Sequence, residues 1–163
     1  MAEEIKQTFR GKKIGEFDPL FVGIVTYIHK NNLSIIIKGK SPIIDENEEI
    51  NLEISNIELT KEKIGFSNVS GLEHITIGDI LLITDSRIRS IFRPASNHNS
   101  IFATVRCNSN CLMCSQPPLD YDDTLEFYLI WKYAITLMPN DVSAIGFTGG
   151  EPTLMEEKLV LLI

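Results

Sequence analysis

Ile101-Phe102-Ala103-Thr104-Val105-Arg106-Cys107-Asn108-Ser109-Asn110-Cys111-Leu112-Met113-Cys114 is an apolar run that passes directly into a loop holding every cysteine of the chain. Ile101 to Val105 has the β-branched, uncharged character of a buried strand. The odd count of three cysteines, packed this closely, disfavours a disulfide framework and points to metal or redox chemistry. Spaced as Cys-x3-Cys-x2-Cys, the thiolates of Cys107, Cys111 and Cys114 suit one metal cluster bound at three of its four irons. Catalytic metal sites keep an open position of that kind, whereas structural sites close it.

Other readings of the loop are weaker. A tetrahedral zinc site needs a fourth ligand, for which His98 is nearest and Asp120 a stretch. A ferredoxin-type carrier normally supplies four thiolates, and the chain has only three. Unrelated buried cysteines would be scattered.

After the Pro117-Pro118 break, Asp122 or Asp123 is placed to cap a helix from about Thr124 to Met138, which Pro139-Asn140 ends. That helix is apolar on several sides, so much of it is expected to be covered. Val142 to Phe147 reads as a second strand, and Thr153-Leu154-Met155-Glu156 has capping-box spacing for a second helix, still running at Ile163. Strand, helix, strand, helix favours a parallel sheet. Loops leaving the same ends of neighbouring parallel strands emerge side by side, so the cysteine loop is expected to meet Gly149-Gly150-Glu151. Alone, Gly-Gly ahead of a helix is only a tight turn. Beside a metal loop, its glycines allow close backbone approach to a ligand, and an ionised Glu151 suits an ammonium group.

Upstream the pattern is β. Phe21 to Ile28 and Leu33 to Lys38 are β-branched runs flanking His29-Lys30-Asn31-Asn32, a hairpin signature. Ile50, Leu52 and Ile54 alternate with polar residues, Ile80 to Thr84 follows a Gly78-Asp79 turn, and Ile88 to Phe92 is a further strand. This predicts a small barrel or sandwich of roughly five strands. The polar stretch from Ala95 to Ser100 lacks periodicity, so residues 1–95 are assigned to a small β-rich domain and 96–163 to the βα units.

Composition excludes some functions. Hydrophobic residues at 44% and charged residues at 23% are those of a globular protein. A formal charge of −7 argues against nucleic-acid and anionic-membrane partners. With neither a signal peptide nor a spanning run, the expected location is the cytoplasm. His29, His74 and His98 read as ordinary surface residues, Trp131 as helix packing, and Asp45 to Glu49 as a solvated acidic loop.

The cysteine loop followed by Gly149-Gly150-Glu151 resembles the radical S-adenosylmethionine (SAM) superfamily from about Ile101 onward. The resemblance implies an enzyme in which Cys107, Cys111 and Cys114 ligate a 4Fe-4S cluster whose open iron chelates SAM. Gly149, Gly150 and Glu151 would hold the methionyl amine. Met113 stands where the family usually has an aromatic residue near the adenine, a place a polarizable thioether can fill. No further catalytic side chain is assigned. The run from Cys107 to Pro118 looks most like the C-type radical SAM maturases of His-Xaa-Ser systems. That implies a peptide substrate, a second radical SAM maturase as partner, and an electron donor such as flavodoxin or ferredoxin. Peptide maturases of other kinds and molybdenum-cofactor-type cyclases share similar Thr-Gly-Gly-Glu-Pro sequences, so a small-molecule substrate is the alternative within the family. Outside it, the alternative is a zinc or iron–sulfur binding module without catalysis. The fold class expected is α/β, a small β-barrel or sandwich followed by the start of a partial (β/α) radical SAM barrel. Only two βα units follow residue 100, so the expectation is a truncated fragment, inactive alone.

Overall fold

Ile37 sits between Val25 on one neighbouring strand and Leu52 on the other, and Ile35 lies opposite Ile54. All five side chains are buried. Such cross-strand ladders are what the period-two alternation dictates, because every second residue points to the same face. In the computed structural model, which describes residues 8–29, 34–44, 48–85, 87–114 and 118–163, the chain divides into two units between Ala95 and Ser96.

The first unit contains β1 (Thr8–Arg10), β2 (Lys12–Ile14), β3 (Leu20–His29), β4 (Ser34–Lys40), β5 (Ile50–Ser55), β6 (Gly65–Ser67), β7 (Ile80–Thr84) and β8 (Arg87–Phe92). They form one eight-stranded sheet in the order β1-β8-β7-β3-β4-β5-β6-β2. Pairing is antiparallel except between β5 and β6. Only Gly11 separates β1 from β2, yet they hold opposite ends of the order, so the sheet curls into a nearly closed, barrel-like form. The enclosed face carries Phe9, Phe21, Ile35, Ile37, Leu52, Ile54, Phe66, Leu81, Ile83 and Ile88 as one apolar cluster. A register shift between Val25 and Tyr27 marks a bulge in β3, after which Ile28 still packs on that cluster.

The barrel-like reading holds, with eight strands where the sequence pointed to roughly five. Those missed, β1, β2 and β6, are three residues each, too short for alternation to register. The turn at 30–33 and residues 45–47 of the acidic run lie outside the described residues; Glu49 of that run pairs with Lys38 at 3.0 Å. Ile37→Val, which removes one methyl from a fully buried side chain, is expected to cost about 0.5–1.5 kcal/mol. The check is a lower urea midpoint at unchanged m-value.

The second unit runs β9 (Ser100–Phe102), α1 (Thr124–Thr136), β10 (Gly146–Thr148), a 3-10 turn (Pro152–Met155) and α2 (Glu157–Leu162). β9 and β10 pair in parallel, with Ile101 opposite Phe147. Ile101, Ala103, Ile130, Trp131, Ala134 and Met155 are its buried apolar side chains. The whole molecule is therefore a mixed α/β structure.

Several expectations here need correction. β9 ends at Phe102 and not Val105: backbone bonds to the end of β10 and the turn after it continue at Ala103 and Thr104, but the Val105 amide bonds the Asp123 carboxylate instead. β10 begins at Gly146 and not Val142. α1 stops at Thr136, where Leu137 and Met138 donate to the carbonyls of Ala134 and Ile135, three residues back, and tighten the last turn. Its covering is also narrower than expected: Ile130, Trp131 and Ala134 are its buried apolar residues, and Leu125 is exposed. The Thr153–Glu156 stretch is no capping box. Glu151 caps the 3-10 turn, and α2 starts only after Glu156.

Candidate functional site

Because β9 and β10 are parallel, the segments leaving Phe102 and Thr148 emerge at the same end of the small sheet. Pairing continues past both strands. Ala103 N–H donates to the Thr148 carbonyl at 2.9 Å, Gly150 N–H to the Thr104 carbonyl at 2.7 Å, and Glu151 N–H to the Arg106 carbonyl at 2.9 Å. The glycine turn thus lies directly on the backbone that feeds Cys107. Gly149 has φ +116°, and a Cβ there would sit 2.5 Å from the Thr104 carbonyl oxygen. A Cβ on Gly150 would stand 2.1 Å from the Arg106 carbonyl oxygen. Glycine is required here by loop-on-turn packing within the chain, a reason the sequence reading did not consider.

The cysteine loop is tied at its base. Arg106 and Leu119 form a parallel bridge, and Cys107 N–H donates to the Leu119 carbonyl at 2.9 Å. The Arg106 guanidinium lies 3.5 Å from Asp120 and 3.7 Å from Asp122, spanning the same closure. Both aspartates are mostly exposed, so these pairs add little stability. Toward the tip, Cys114 N–H donates to the Cys111 carbonyl at 3.0 Å, a tight turn. Residues 115–117 lie outside the described residues.

Asp123 anchors the strand end from behind. Its carboxylate is 6% exposed and accepts from Val105 N–H at 3.2 and 3.0 Å and from the Thr104 hydroxyl. That hydroxyl in turn accepts from Arg106 N–H at 3.0 Å. Asp122, not Asp123, serves the start of α1, accepting from Thr124 N–H at 3.0 Å and its hydroxyl at 2.7 Å. Hydrogen bonds from Thr124, with the nearby Arg106 charge, hold the Asp122 carboxyl below its usual range. Trp131 Nε1–H donates to the Phe102 carbonyl at 2.9 Å, fixing α1 against β9.

A cleft of about 460 Å³ opens above this framework, lined by Cys107, Cys111, Cys114, Met113, Gly149 and Gly150 together with Phe102, Val105, Ser109, Pro118 and Thr148. All three thiols are free; Cys107 is half-buried, and Cys111 and Cys114 are exposed. Met113 is almost wholly exposed. Six of the seven residues singled out from sequence therefore share one cleft, and Glu151 does not line it. His98 and Asp120, the candidate zinc ligands, do not line it either.

Glu151 is engaged locally. Its Oε1 accepts from the Thr153 hydroxyl at 2.7 Å and from Thr153 N–H at 3.1 Å, which lowers its pKa from the ordinary value. A depressed carboxyl pKa stabilises the turn above the ordinary carboxylate range and loses that contribution as pH falls through the lowered value. Thr153→Val is expected to return the Glu151 titration toward the ordinary value, read by NMR of its side-chain carboxyl.

The chemistry of the donor set fits a cluster with three protein ligands: three thiols free of disulfides line the cleft and the chain has no fourth cysteine. Among the described residues, no three His, Cys, Asp or Glu side chains are gathered closely enough to hold one metal ion. No helix among the described residues is long and apolar enough to cross a membrane. Sequence reasoning missed Thr104, Arg106 and Asp123 as parts of this framework. Asp123 looked like one of two interchangeable caps, and no periodicity signals a carboxylate that clasps a distant backbone. Comparison with protein-family models, curated proteins and solved structures gives no match to this chain.

Proposed function

We propose that the unit from Ser96 onward is the cofactor-bearing part of a radical SAM enzyme, the start of its (β/α) barrel. The observation that carries this reading is the single cleft lined by all three thiols and both glycines. Cys107, Cys111 and Cys114 would hold a 4Fe-4S cluster, with Cys107 at the fixed base of the loop and the other two at its exposed tip. When bound, the cluster would supply one-electron reductive cleavage of the SAM sulfonium and with it radical chemistry at an unactivated C–H bond. The chain's own residues bind and orient. Gly149 and Gly150 leave the cleft wall free of side chains, Met113 offers a polarizable surface to the adenine, and Oε2 of Glu151 is the oxygen left for an ammonium group. Metal capture and ordering of a ligand loop are coupled, which accounts for thiols that share a cleft without yet converging.

Within this class the proposed activity is modification of a peptide carrying His-Xaa-Ser repeats, in the cytoplasm. A second radical SAM maturase and a flavodoxin or ferredoxin as electron donor complete the proposal. The support is the likeness of the Cys107 to Pro118 run to the C-type maturases of those systems. Anaerobic reconstitution with iron and sulfide tests the core of it. The expected result is about four iron and four sulfide per chain, with 5′-deoxyadenosine formed from SAM under a strong reductant. One zinc per chain and no response to SAM would remove the reading.

A further inference from the structure

We propose that Asp123 is a positioning residue that holds the cysteine loop and the glycine turn in a single register, so that SAM binding depends on it while cluster capture does not. The inference rests on the radical SAM reading above. Thr104, Val105 and Arg106 form the hub. On one side, Asp123 accepts from Val105 N–H and from the Thr104 hydroxyl, and that hydroxyl accepts from Arg106 N–H. On the other, the Thr104 and Arg106 carbonyls accept from Gly150 and Glu151 N–H. Cys107 follows immediately. One carboxylate on the helical side thus braces the short segment to which both cofactor-facing loops are attached.

Thr104 is fully buried and Asp123 nearly so, so water does not replace these bonds cheaply when Asp123 is lost. The segment then slackens, and the two loops lose their mutual placement together. Two of the three thiolates, Cys111 and Cys114, are exposed at the loop tip away from the hub, and Cys107 keeps its own tie through its N–H to the Leu119 carbonyl, so iron capture survives the slackening. SAM would have to reach from the cluster to the glycine turn, so its affinity reads the register between them.

The test uses wild-type protein, Asp123→Asn, Asp123→Ala and Thr104→Val. Asn keeps one oxygen, and Oδ1 of Asp123 accepts from both the Thr104 hydroxyl and Val105 N–H, so only the Oδ2 acceptor and the charge are lost and it is the conservative variant. Without metal, amide hydrogen exchange is expected to quicken at Val105 and also at Gly150 and Glu151, least in Asp123→Asn. After reconstitution, iron content is expected to stay near wild type while KM for SAM rises about tenfold or more, with a smaller change in kcat. Exchange that quickens at Val105 alone, or an unchanged KM in both Asp123 variants, overturns the proposal. Thr104→Val gives the same readout should Asp123→Ala not fold. A wild-type protein that loads no iron ends the radical SAM reading and the role toward SAM with it, whereas a loaded wild type with unaltered Asp123 variants ends only the role.

Discussion

Cys111→Ala is expected to lose iron–sulfur loading and 5′-deoxyadenosine formation together, by on the order of 10²-fold or more. The side chain is exposed. Its removal therefore leaves no cavity, and the cost to folding should stay within about 0.5 kcal/mol. The two effects are thus separable in one sample: an unchanged urea midpoint beside a colourless reconstituted protein assigns the loss to ligation and not to misfolding. Cys114→Ala should behave alike. Cys107 is half-buried and its thiol donates to the Ser109 carbonyl at 3.7 Å, so Cys107→Ala should match them in colour and activity while showing a somewhat lower midpoint. A Cys111→Ala protein that kept its brown chromophore and still released 5′-deoxyadenosine would refute the assignment.

Gly150→Ala should be strongly damaging to this unit. The new Cβ would meet the Arg106 carbonyl oxygen at 2.1 Å, its carbon at 2.7 Å and the Val105 carbonyl oxygen at 3.0 Å. All three are backbone atoms, so no rotamer change relieves the contact; the turn must lift away and its bonds to Thr104 and Arg106 stretch. A cost of about 1–3 kcal/mol follows for a methyl forced into a filled space. Loss of SAM binding should accompany it, since the turn that moves is the cleft wall. Gly146→Ala is the control, as its nearest neighbour would be Ser100 Cβ at 3.8 Å, an ordinary contact. Equal urea midpoints for the two variants of the metal-free protein would contradict the packing described.

The sequence was most legible where a periodic pattern met a long enough element. β3 and β4 could be read from β-branched runs, β5 from alternation, β7 from the Gly78-Asp79 turn ahead of it and β8 as a short run after that, and α1 from its flanking Asp and Pro residues. The three-residue strands that carry the sheet to near closure left no pattern to read, because three positions hold a single alternation. In the second unit, the presence of two strands and a helix was legible but their limits were not. Ala103 to Val105 has every local feature of a strand; Ala103 still pairs with Thr148, and it is the Val105 amide that the distant Asp123 carboxylate takes. The cleft residues were found from spacing and residue type. The reason for Gly149 and Gly150 was assigned to a ligand, although the neighbouring backbone alone demands them. Glu151 was read as suiting an ammonium group, and the engagement the structure shows is with Thr153, two residues on. Such short-range capping was visible in principle, since Pro152 has no N–H and Thr153 supplies the first free donor of the turn.

The near-closure of the eight-stranded sheet has a consequence for synthesis. Within this unit β1 and β2 leave the ribosome before their partners β8 and β6, which follow only after most of the unit has been made. The opening segment must therefore wait, unpaired, while the central hairpin of β3 and β4 is already able to form. It then fastens both rims of the finished sheet through the single link at Gly11, like a clasp sewn on at the start of a garment and fastened last.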